Sequence, residues 1–275
     1  MPIARTLQDQ GFAIGVVTSV PISHATPAAA YASNVHRDDY QDLTRDLIGV
    51  PSVFHPGGLA GVDVLIGGGW GEEKKEDGAQ GKNFVPGNRY LTAEDLKAID
   101  VANGGKYVVA QRTRDSKGAE VLRQGVQAAI EQKRRLLGYF GVKAGHLPFQ
   151  TADGNYDPVV SMGTGGKADA AEKYSQTDVS ENPVLADMAI AAADVLQSRS
   201  ERWWLMIEAG DVDWANHANN IDNSIGALLS GDKAFAALAK WIESHGGWED
   251  TALYLTADHG HYLVFEKPQA LTGSR

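Results

Sequence analysis

The feature that most constrains this chain is an apolar run, residues 203–207, that ends abruptly in metal-ligating side chains. The run has the composition of a buried strand. Glu208, Asp211, Asp213 and His217 follow within ten positions. Open α/β folds place their ligand sites at the carboxyl ends of strands. The pattern therefore predicts a metal site at the carboxyl edge of a sheet.

A second cluster of the same kind lies near the end of the chain. Residues 251–256 are typical of a strand, and Asp258, His259 and His261 come directly after them. Two such clusters at equivalent strand ends indicate two neighbouring metals. Metals roughly 3.5–4 Å apart can hold the attacking and leaving oxygens during phosphoryl transfer.

Taken alone, each cluster allows more than one interpretation. Asp213 and His217 are four positions apart, so on a helix both could reach one cation. A solvated helix face or a capping pair has the same spacing. Asp258 and His259 come directly after a predicted buried strand, where polar side chains need partners. A metal site or a catalytic site would supply them.

Composition narrows the choice of partners. The 275 residues can form one α/β domain or two smaller ones. A formal net charge of −10 disfavours a nucleic-acid partner, and metal ligands can account for some of the surplus acid. The absence of cysteine leaves histidine and carboxylate as the strong ligands. No apolar run approaches the roughly 18 residues that span a bilayer, so we expect no membrane partner.

Periodicity and capping signals predict alternating strands and helices, hence a mainly parallel central sheet with helices on both faces. The predicted strands are residues 12–20, 62–66, 107–110, 136–140, 203–207 and 251–256. The predicted helices are residues 3–10, one beginning near Pro27, 38–48, 92–101, 119–134, 182–197 and 219–245, the last broken near Gly231. Residues 141–176 have little periodicity and are predicted to be an irregular insertion.

Five motifs, in their order along the chain, resemble those of the alkaline phosphatases. They are residues 23–29, Arg37, residues 63–69, residues 208–217 and residues 256–261. The resemblance implies an alkaline phosphatase-like three-layer α/β sandwich, formed as one incomplete domain over residues 1–275. It is weakest over residues 70–90 and 150–176.

The resemblance also implies two zinc sites and one magnesium site. Asp213 and His217 would bind the first zinc, and Asp258 and His259 the second. His261 would orient these ligands through hydrogen bonds.

The magnesium and phosphate sites are implied in the same way. Thr26 and Glu208 would serve the magnesium, and Arg37 would bind two phosphate oxygens through its planar guanidinium. His24 and Trp214 lie where family members differ and would tune the magnesium site. For His24 an ordinary place beside a helix cap is a nearly equal alternative to a metal role, and for Trp214 we favour core packing. The other four histidines are interpreted as surface or loop residues: His36, His55, His146 and His245.

The nucleophile segment of the family has no counterpart in this sequence. Its serine lies in an Asp-Ser-Ala helix start, and the one Asp-Ser pair here, Asp115-Ser116, has a loop context. The early aspartate that links two metals and the last zinc histidine are also missing. We therefore expect a chain that resembles the middle and late portion of the family and is inactive alone. A lost strand would leave an apolar sheet edge that a homodimer could cover.

Three functions remain open at this point. The first is a metal-dependent phosphomonoester hydrolase, whose partners would be a phosphomonoester or inorganic phosphate and whose location, by resemblance, would be periplasmic or secreted. The second is a non-catalytic module that binds metal or phosphate. The third is another phosphoryl- or sulfuryl-transfer enzyme of the same superfamily, which Thr26, Pro27 and Glu208 disfavour.

Overall fold

A five-stranded parallel sheet forms the centre of the protein. The computed structural model describes residues 1–158, 172–264 and 269. In order across the sheet the strands are β5 (Tyr107–Gln111), β6 (Arg135–Tyr139), β2 (Val64–Gly68), β1 (Ala13–Pro21) and β7 (Trp203–Glu208). All four neighbouring pairs are parallel, which confirms the predicted sheet. Two short strands of two residues each, β3 (Glu73–Lys74) and β4 (Gly87–Asn88), pair in antiparallel orientation outside this sheet.

Helices connect the strands and cover both faces. They are α1 (Ile3–Asp9), α2 (Ala25–Tyr31), α3 (Tyr40–Ile48), α4 (Ala93–Ile99), α5 (Gly118–Glu131), α6 (Gln176–Ser180), α7 (Leu185–Arg199), α8 (Gly210–His217) and α9 (Ile221–Ser244). A 3-10 turn spans Val101–Asn103. None of the helices in the described ranges combines the length and apolar character of a membrane span.

Alternation along the buried strands sends side chains to two cores. On β1, Val17 packs on the α5 and α7 side, together with Leu122 and Met188. Ile14 of the same strand faces the opposite core, where α3 contributes Leu47. Because successive side chains of a strand point to opposite faces, nine buried residues in β1 supply both cores. This arrangement confirms a three-layer α/β sandwich.

The glycines at the end of β2, Gly67 and Gly68, and the following Gly69 allow close backbone packing at the carboxyl edge of the sheet. A Cβ at Gly67 would lie 2.7 Å from Cγ2 of Thr18, and one at Gly68 would collide with the carbonyl oxygen of Gly145. Gly69 has φ +123°, a value that favours glycine. The strand edge can therefore approach its neighbours only with glycine at these positions.

The predicted break of the long helix near Gly231 is wrong. Helix α9 continues without interruption from Ile221 to Ser244. A Cβ at Gly231 would lie 3.2 Å from that of Ala209, so the glycine lets α9 approach the loop after β7. Packing against that loop and against α7 outweighs the low helix propensity of glycine.

The predicted strand over residues 251–256 is also wrong. No strand is assigned in residues 251–264 of the described chain. Leu253 packs against the cluster of Leu238 and Trp241, while Tyr254 and Leu255 are exposed. β-Propensity is strongly context-dependent, and here packing against α9 outweighs it.

The predicted insertion over residues 141–176 lies partly outside the described residues, which omit 159–171. In the described part of this segment no strand is present, and the only helix is α6, which begins at Gln176.

Candidate metal centre

Asp213 and His217 occupy one face of α8, which begins two residues after β7 ends at Glu208. The i, i+4 spacing places Nε2 of His217 3.3 Å from Oδ1 of Asp213. Helix α8 thus presents both the carboxylate and the imidazole beside the sheet edge, as the spacing indicated.

Two histidines from the end of the described chain meet the same carboxylate oxygen. Nε2 of His259 lies 3.3 Å and Nε2 of His261 3.1 Å from Oδ1 of Asp213. With His217 they form a group whose ligand atoms all lie within 4.8 Å of one another. Three imidazoles and one carboxylate therefore converge on one point; we call these four residues the Asp213 group.

Asp258 lies outside the Asp213 group. Its side chain is 69% exposed, and its Oδ2 is 3.8 Å from Nε2 of His259. A hydrogen bond to the carbonyl of Gly260, together with the Asp258 charge, raises the pKa of His259. Asp258 thus acts on the group electrostatically from its rim.

Asn219 fastens the segment that carries the two late histidines. Its Nδ2 donates to the carbonyl of Val264 at 2.9 Å, and the N–H of Val264 donates back to Oδ1 at 2.8 Å. Asn219 has φ +51°, in the left-handed region that asparagine tolerates better than most residues. This paired contact holds residues 259–264 beside the end of α8.

Glu208 lies at a separate oxygen-rich position. It is aligned with Thr18 on the neighbouring strand, and the Thr18 hydroxyl donates to its Oε2 at 2.5 Å. Burial raises the pKa of Glu208, while hydrogen bonds from Thr18 and Thr26 oppose the rise. The predicted magnesium residues Thr26 and Glu208 are therefore brought together.

Ser19, the next residue on β1, contacts the start of α8. Its hydroxyl donates to Oδ1 of Asp211 at 2.6 Å. Burial raises the pKa of Asp211, and this hydrogen bond opposes the rise. Thr18 and Ser19 belong to no motif of the sequence that predicts a functional role. The available signal was two hydroxyl residues near the end of an apolar run, at the edge to which Glu208 was assigned.

His24 and Trp214 are in contact, with ring centroids 5.2 Å apart in an edge-to-face arrangement. His24 precedes α2 but forms no capping hydrogen bond through its side chain. Burial, followed by the positive charge of Arg37, lowers the pKa of His24 to about 4. Trp214 packs with Val20 and Phe149, which confirms core packing.

Two buried polar atoms beside His24 have no partner within the described residues. They are the hydroxyl of Ser23 and Nε1 of Trp214. Buried donors are normally satisfied by protein, water or ligand. A water molecule or an anion at this place would give both donors a hydrogen-bond acceptor.

Arg37 is directed to solvent, with 68% of its side chain exposed. Its nearest ion pair among the described residues is with Asp38, at 3.9 Å between Nε and Oδ1. The charges of Arg37 and Asp213 both act on His24. Arg37 is therefore accessible to an anion from solvent.

His146 lies in a loop, as one of the two sequence interpretations has it, but its ring is buried rather than at the surface. Its Nε2 lies 2.9 Å from Oε1 of Glu172, and its ring stacks on Phe149 at 3.8 Å. Trp214 lies edge-on to the same ring at 5.8 Å. His146 and Glu172 lie at the two ends of a segment without periodicity, so no local pattern could have linked them.

Comparison with known proteins gives a consistent result. The family model described as "Alkaline phosphatase" matches residues 1–273. Curated relatives include an alkaline phosphatase of Gadus morhua, 24% identical over 96% of this chain and 49% of its own. Alkaline phosphatase 4 of Bacillus subtilis is 26% identical over 94% and 42%, and a streptomycin-6-phosphate phosphatase of Streptomyces griseus 27% over 92% and 53%. The chain thus spans about half the length of these relatives.

Solved structures show the same fold. The alkaline phosphatase of Thermus thermophilus superposes with a TM-score of 0.55 at 21% identity, over 88% of this chain and 38% of its own. The enzyme of the Antarctic bacterium TAB5 superposes with a TM-score of 0.56 at 16% identity, over 89% and 53%. A histidine-to-glutamate variant of the latter has magnesium bound in its M3 site.

Proposed function

Because the chain belongs to the alkaline phosphatase family, we propose that it forms the metal- and phosphate-binding part of a metal-dependent phosphomonoester hydrolase. The observation that carries this proposal is the convergence of three imidazoles on Oδ1 of Asp213. Such a set has no evident packing role, since His217 and His259 are exposed.

The donor atoms of the Asp213 group fit zinc. Zinc is bound in proteins by histidine nitrogen and by carboxylate oxygen, and this chain has no thiolate to compete. We infer a first zinc between Asp213 and His217, and a second next to it with Asp258 and His259. His261 would hold the Asp213 carboxylate in place. When bound, such ions supply Lewis-acid stabilisation of phosphoryl-group charge.

The oxygen donors around Glu208 fit magnesium. Magnesium prefers one or two carboxylates and keeps several waters. Glu208 and Thr26 would be the protein ligands, with Thr18 orienting the Glu208 carboxylate. The unpartnered Ser23 hydroxyl and Trp214 N–H would then contact the waters of the ion.

Arg37 would bind the phosphate group itself. Its guanidinium presents parallel N–H donors that match two phosphate oxygens. Because it is exposed and its charge reaches His24 together with that of Asp213, it supports a phosphate position between itself and the Asp213 group.

A non-catalytic metal- or phosphate-binding function is the second candidate. Ser19 and Ser23, the serines of β1 and of the following turn, are 4% and 0% exposed. Neither presents its oxygen to a substrate. This observation favours binding without turnover by the chain as given.

Calorimetric titration of zinc into the metal-free protein tests the proposal. Asp213→Ala should abolish the tightest binding event, while Asp232→Ala, an exposed acid of α9, should leave it intact. Equal zinc affinity of both variants and the wild type would refute the metal centre. Chelator-sensitive hydrolysis of 4-nitrophenyl phosphate by the zinc-loaded chain would favour the hydrolase, and zinc binding without hydrolysis would favour the binding module.

A further inference from the structure

His146 is a buried histidine to which the proposed function gives no role. It is 2% exposed, although it belongs to a loop. Its Nε2 lies 2.9 Å from Oε1 of Glu172, and its Nδ1 lies 2.6 Å from the carbonyl oxygen of Leu147. Both ring nitrogens therefore have a polar partner inside the protein, as a buried imidazole requires.

Both partners of the His146 ring accept hydrogen bonds. A carbonyl oxygen can only accept, so Nδ1 carries a proton. Burial would raise the pKa of Glu172, but the hydrogen bond and charge of His146, with a hydrogen bond from Tyr174, lower it. The Glu172 carboxylate is then ionised at neutral pH and also only accepts. The ring is therefore an imidazolium, with a proton on each nitrogen.

Aromatic rings enclose this imidazolium. It stacks on Phe149, with ring centroids 3.8 Å apart and ring planes 8° apart. Tyr174 and Trp214 lie edge-on to it, at 6.3 and 5.8 Å between centroids. An aromatic face attracts a cation within about 6 Å of its centroid. The ion pair with Glu172 and the stacked ring of Phe149 thus fix both the place and the plane of the His146 ring.

Trp214 connects His146 to the proposed magnesium position. Its indole lies 5.8 Å from the His146 ring and 5.2 Å from the His24 ring, edge-on in both contacts. Its Nε1 is buried and has no hydrogen-bond partner among the described residues. With no hydrogen bond of its own in the described structure, the indole is oriented by the side chains packed around it.

We propose that His146 is a positioning residue for the magnesium site: held by Glu172, its imidazolium sets the orientation of the Trp214 indole beside His24. This inference rests on the proposed function, in which the Trp214 N–H contacts a water of the magnesium ion. A ring at position 146 that is free to rotate would no longer fix the indole, and that water would lose a well-placed donor. Outer partners of this kind account for roughly 10–100-fold in metal affinity.

Calorimetric titration of magnesium into the wild type and His146→Phe tests the inference. Phenylalanine keeps a ring against Phe149 and removes the charge and both hydrogen bonds, so magnesium affinity should fall about tenfold. Zinc affinity should change by less than about twofold, since His146 forms no ion pair or ring contact with the Asp213 group, all of which is described. His245→Phe is the matched control, because His245 stacks on Trp241 at 4.2 Å at the end of α9, and both affinities should stay unchanged.

A double-mutant cycle separates positioning from a general loss of packing. Trp214→Phe removes the indole N–H and should itself weaken magnesium binding. If His146 acts through the indole, His146→Phe adds no further loss when Trp214→Phe is already present. Additive losses of magnesium affinity, or equal losses of magnesium and zinc affinity in His146→Phe, would overturn the positioning role.

Glu172→Gln guards against misfolding of His146→Phe. It keeps the ring and removes its anionic partner, and it should also weaken magnesium binding more than zinc binding. Nitrogen NMR of the wild-type His146 ring at neutral pH should show a proton on both nitrogens, and a ring with one proton would overturn the imidazolium assignment. A wild type that binds zinc but no magnesium would overturn the proposed magnesium site, and this inference with it.

Discussion

The hydroxyl of Ser19 donates a hydrogen bond to Asp211 at 2.6 Å, joining strand β1 to the start of α8 across 192 positions of sequence. Both side chains are buried, at 4% and 5% exposure. Asp211 fixes the first turn of the helix that carries Asp213 and His217. One hydroxyl thus positions two candidate metal ligands without touching either.

Replacing Ser19 should therefore destabilise the fold. Ser19→Ala leaves the buried Asp211 carboxylate without its side-chain donor, and we expect a loss of about 1–3 kcal/mol in the free energy of unfolding. Urea denaturation monitored by circular dichroism measures it. Ser116→Ala, at a partly exposed loop serine whose hydroxyl contacts only the Arg114 carbonyl at 3.5 Å, should change the same quantity by less than about 0.5 kcal/mol. Similar stabilities for the two variants would show that the Ser19 contact contributes nothing.

Thr18 should matter to magnesium rather than to packing. Thr18→Val keeps the shape of the side chain and removes the donor to Glu208, so magnesium affinity should fall about tenfold. Thr44→Val is the matched control, because the Thr44 hydroxyl is buried without a hydrogen-bond partner among the described residues. Isothermal titration with magnesium would compare the two. An unchanged affinity in Thr18→Val would contradict an orienting role.

Glu172 should stabilise the fold in a pH-dependent way. Burial would raise its pKa, but the hydrogen bond and charge of His146 outweigh that effect and hold the pKa below its usual value of 4.5. A carboxyl with a lowered folded-state pKa contributes stability above the unfolded-state pKa and loses it as pH falls through the folded-state value. Glu172→Gln should cost about 1–3 kcal/mol at pH 7.

The stability difference between the wild type and Glu172→Gln should shrink as the pH falls below about 4.5, the usual pKa of a glutamate. Urea titrations from pH 3.5 to 8 would measure it. Glu243→Gln, at an exposed residue in the last turn of α9, should show no such trend. A difference that grew on acidification would mean that the ion pair has the opposite sign of effect.

The histidines of the Asp213 group should differ in their effect on zinc. Loss of a partner that only orients ligands lowers metal affinity roughly 10–100-fold, and loss of a direct ligand lowers it further. We therefore expect His217→Ala to weaken zinc binding more than His261→Ala. His36→Ala, at an exposed loop histidine, should have no effect. A larger loss in His261→Ala would reassign His261 as a direct ligand.

The sheet could be predicted from sequence because its strands carry their own signal. The β-branched run of β1 and the apolar runs of β2 and β6 are buried within the sheet, and the apolar run of β7 pairs with β1 at the sheet edge, where it is half-buried. Residues 251–256 carry a similar local signal, yet the strand is absent. That difference depends on packing between Leu253 and α9, which no local pattern contains.

In the candidate site, too, contacts within one helix could be predicted from the sequence, whereas contacts between distant segments could not. The spacing of Asp213 and His217 predicts their contact, because a helix converts that spacing into proximity. The contacts of Thr18 with Glu208 and of Ser19 with Asp211 depend on the parallel pairing of β1 with β7. The pair of His146 with Glu172 depends on an irregular segment. The residues next to either partner in the sequence do not determine strand register over long distances or the path of a loop, so these contacts could not be predicted.

The paired hydrogen bonds between Asn219 and Val264 have a consequence for the order of events at the metal centre. They connect the end of α8 to the segment bearing His259 and His261, so the loop containing α9 is closed by hydrogen bonds that involve no metal-ligating atom. Much of the conformational entropy of bringing distant ligands together is then lost during folding rather than when zinc arrives. The ion would meet a preorganised site, and its affinity would depend on a contact between Asn219, two positions after His217, and Val264, three positions after His261.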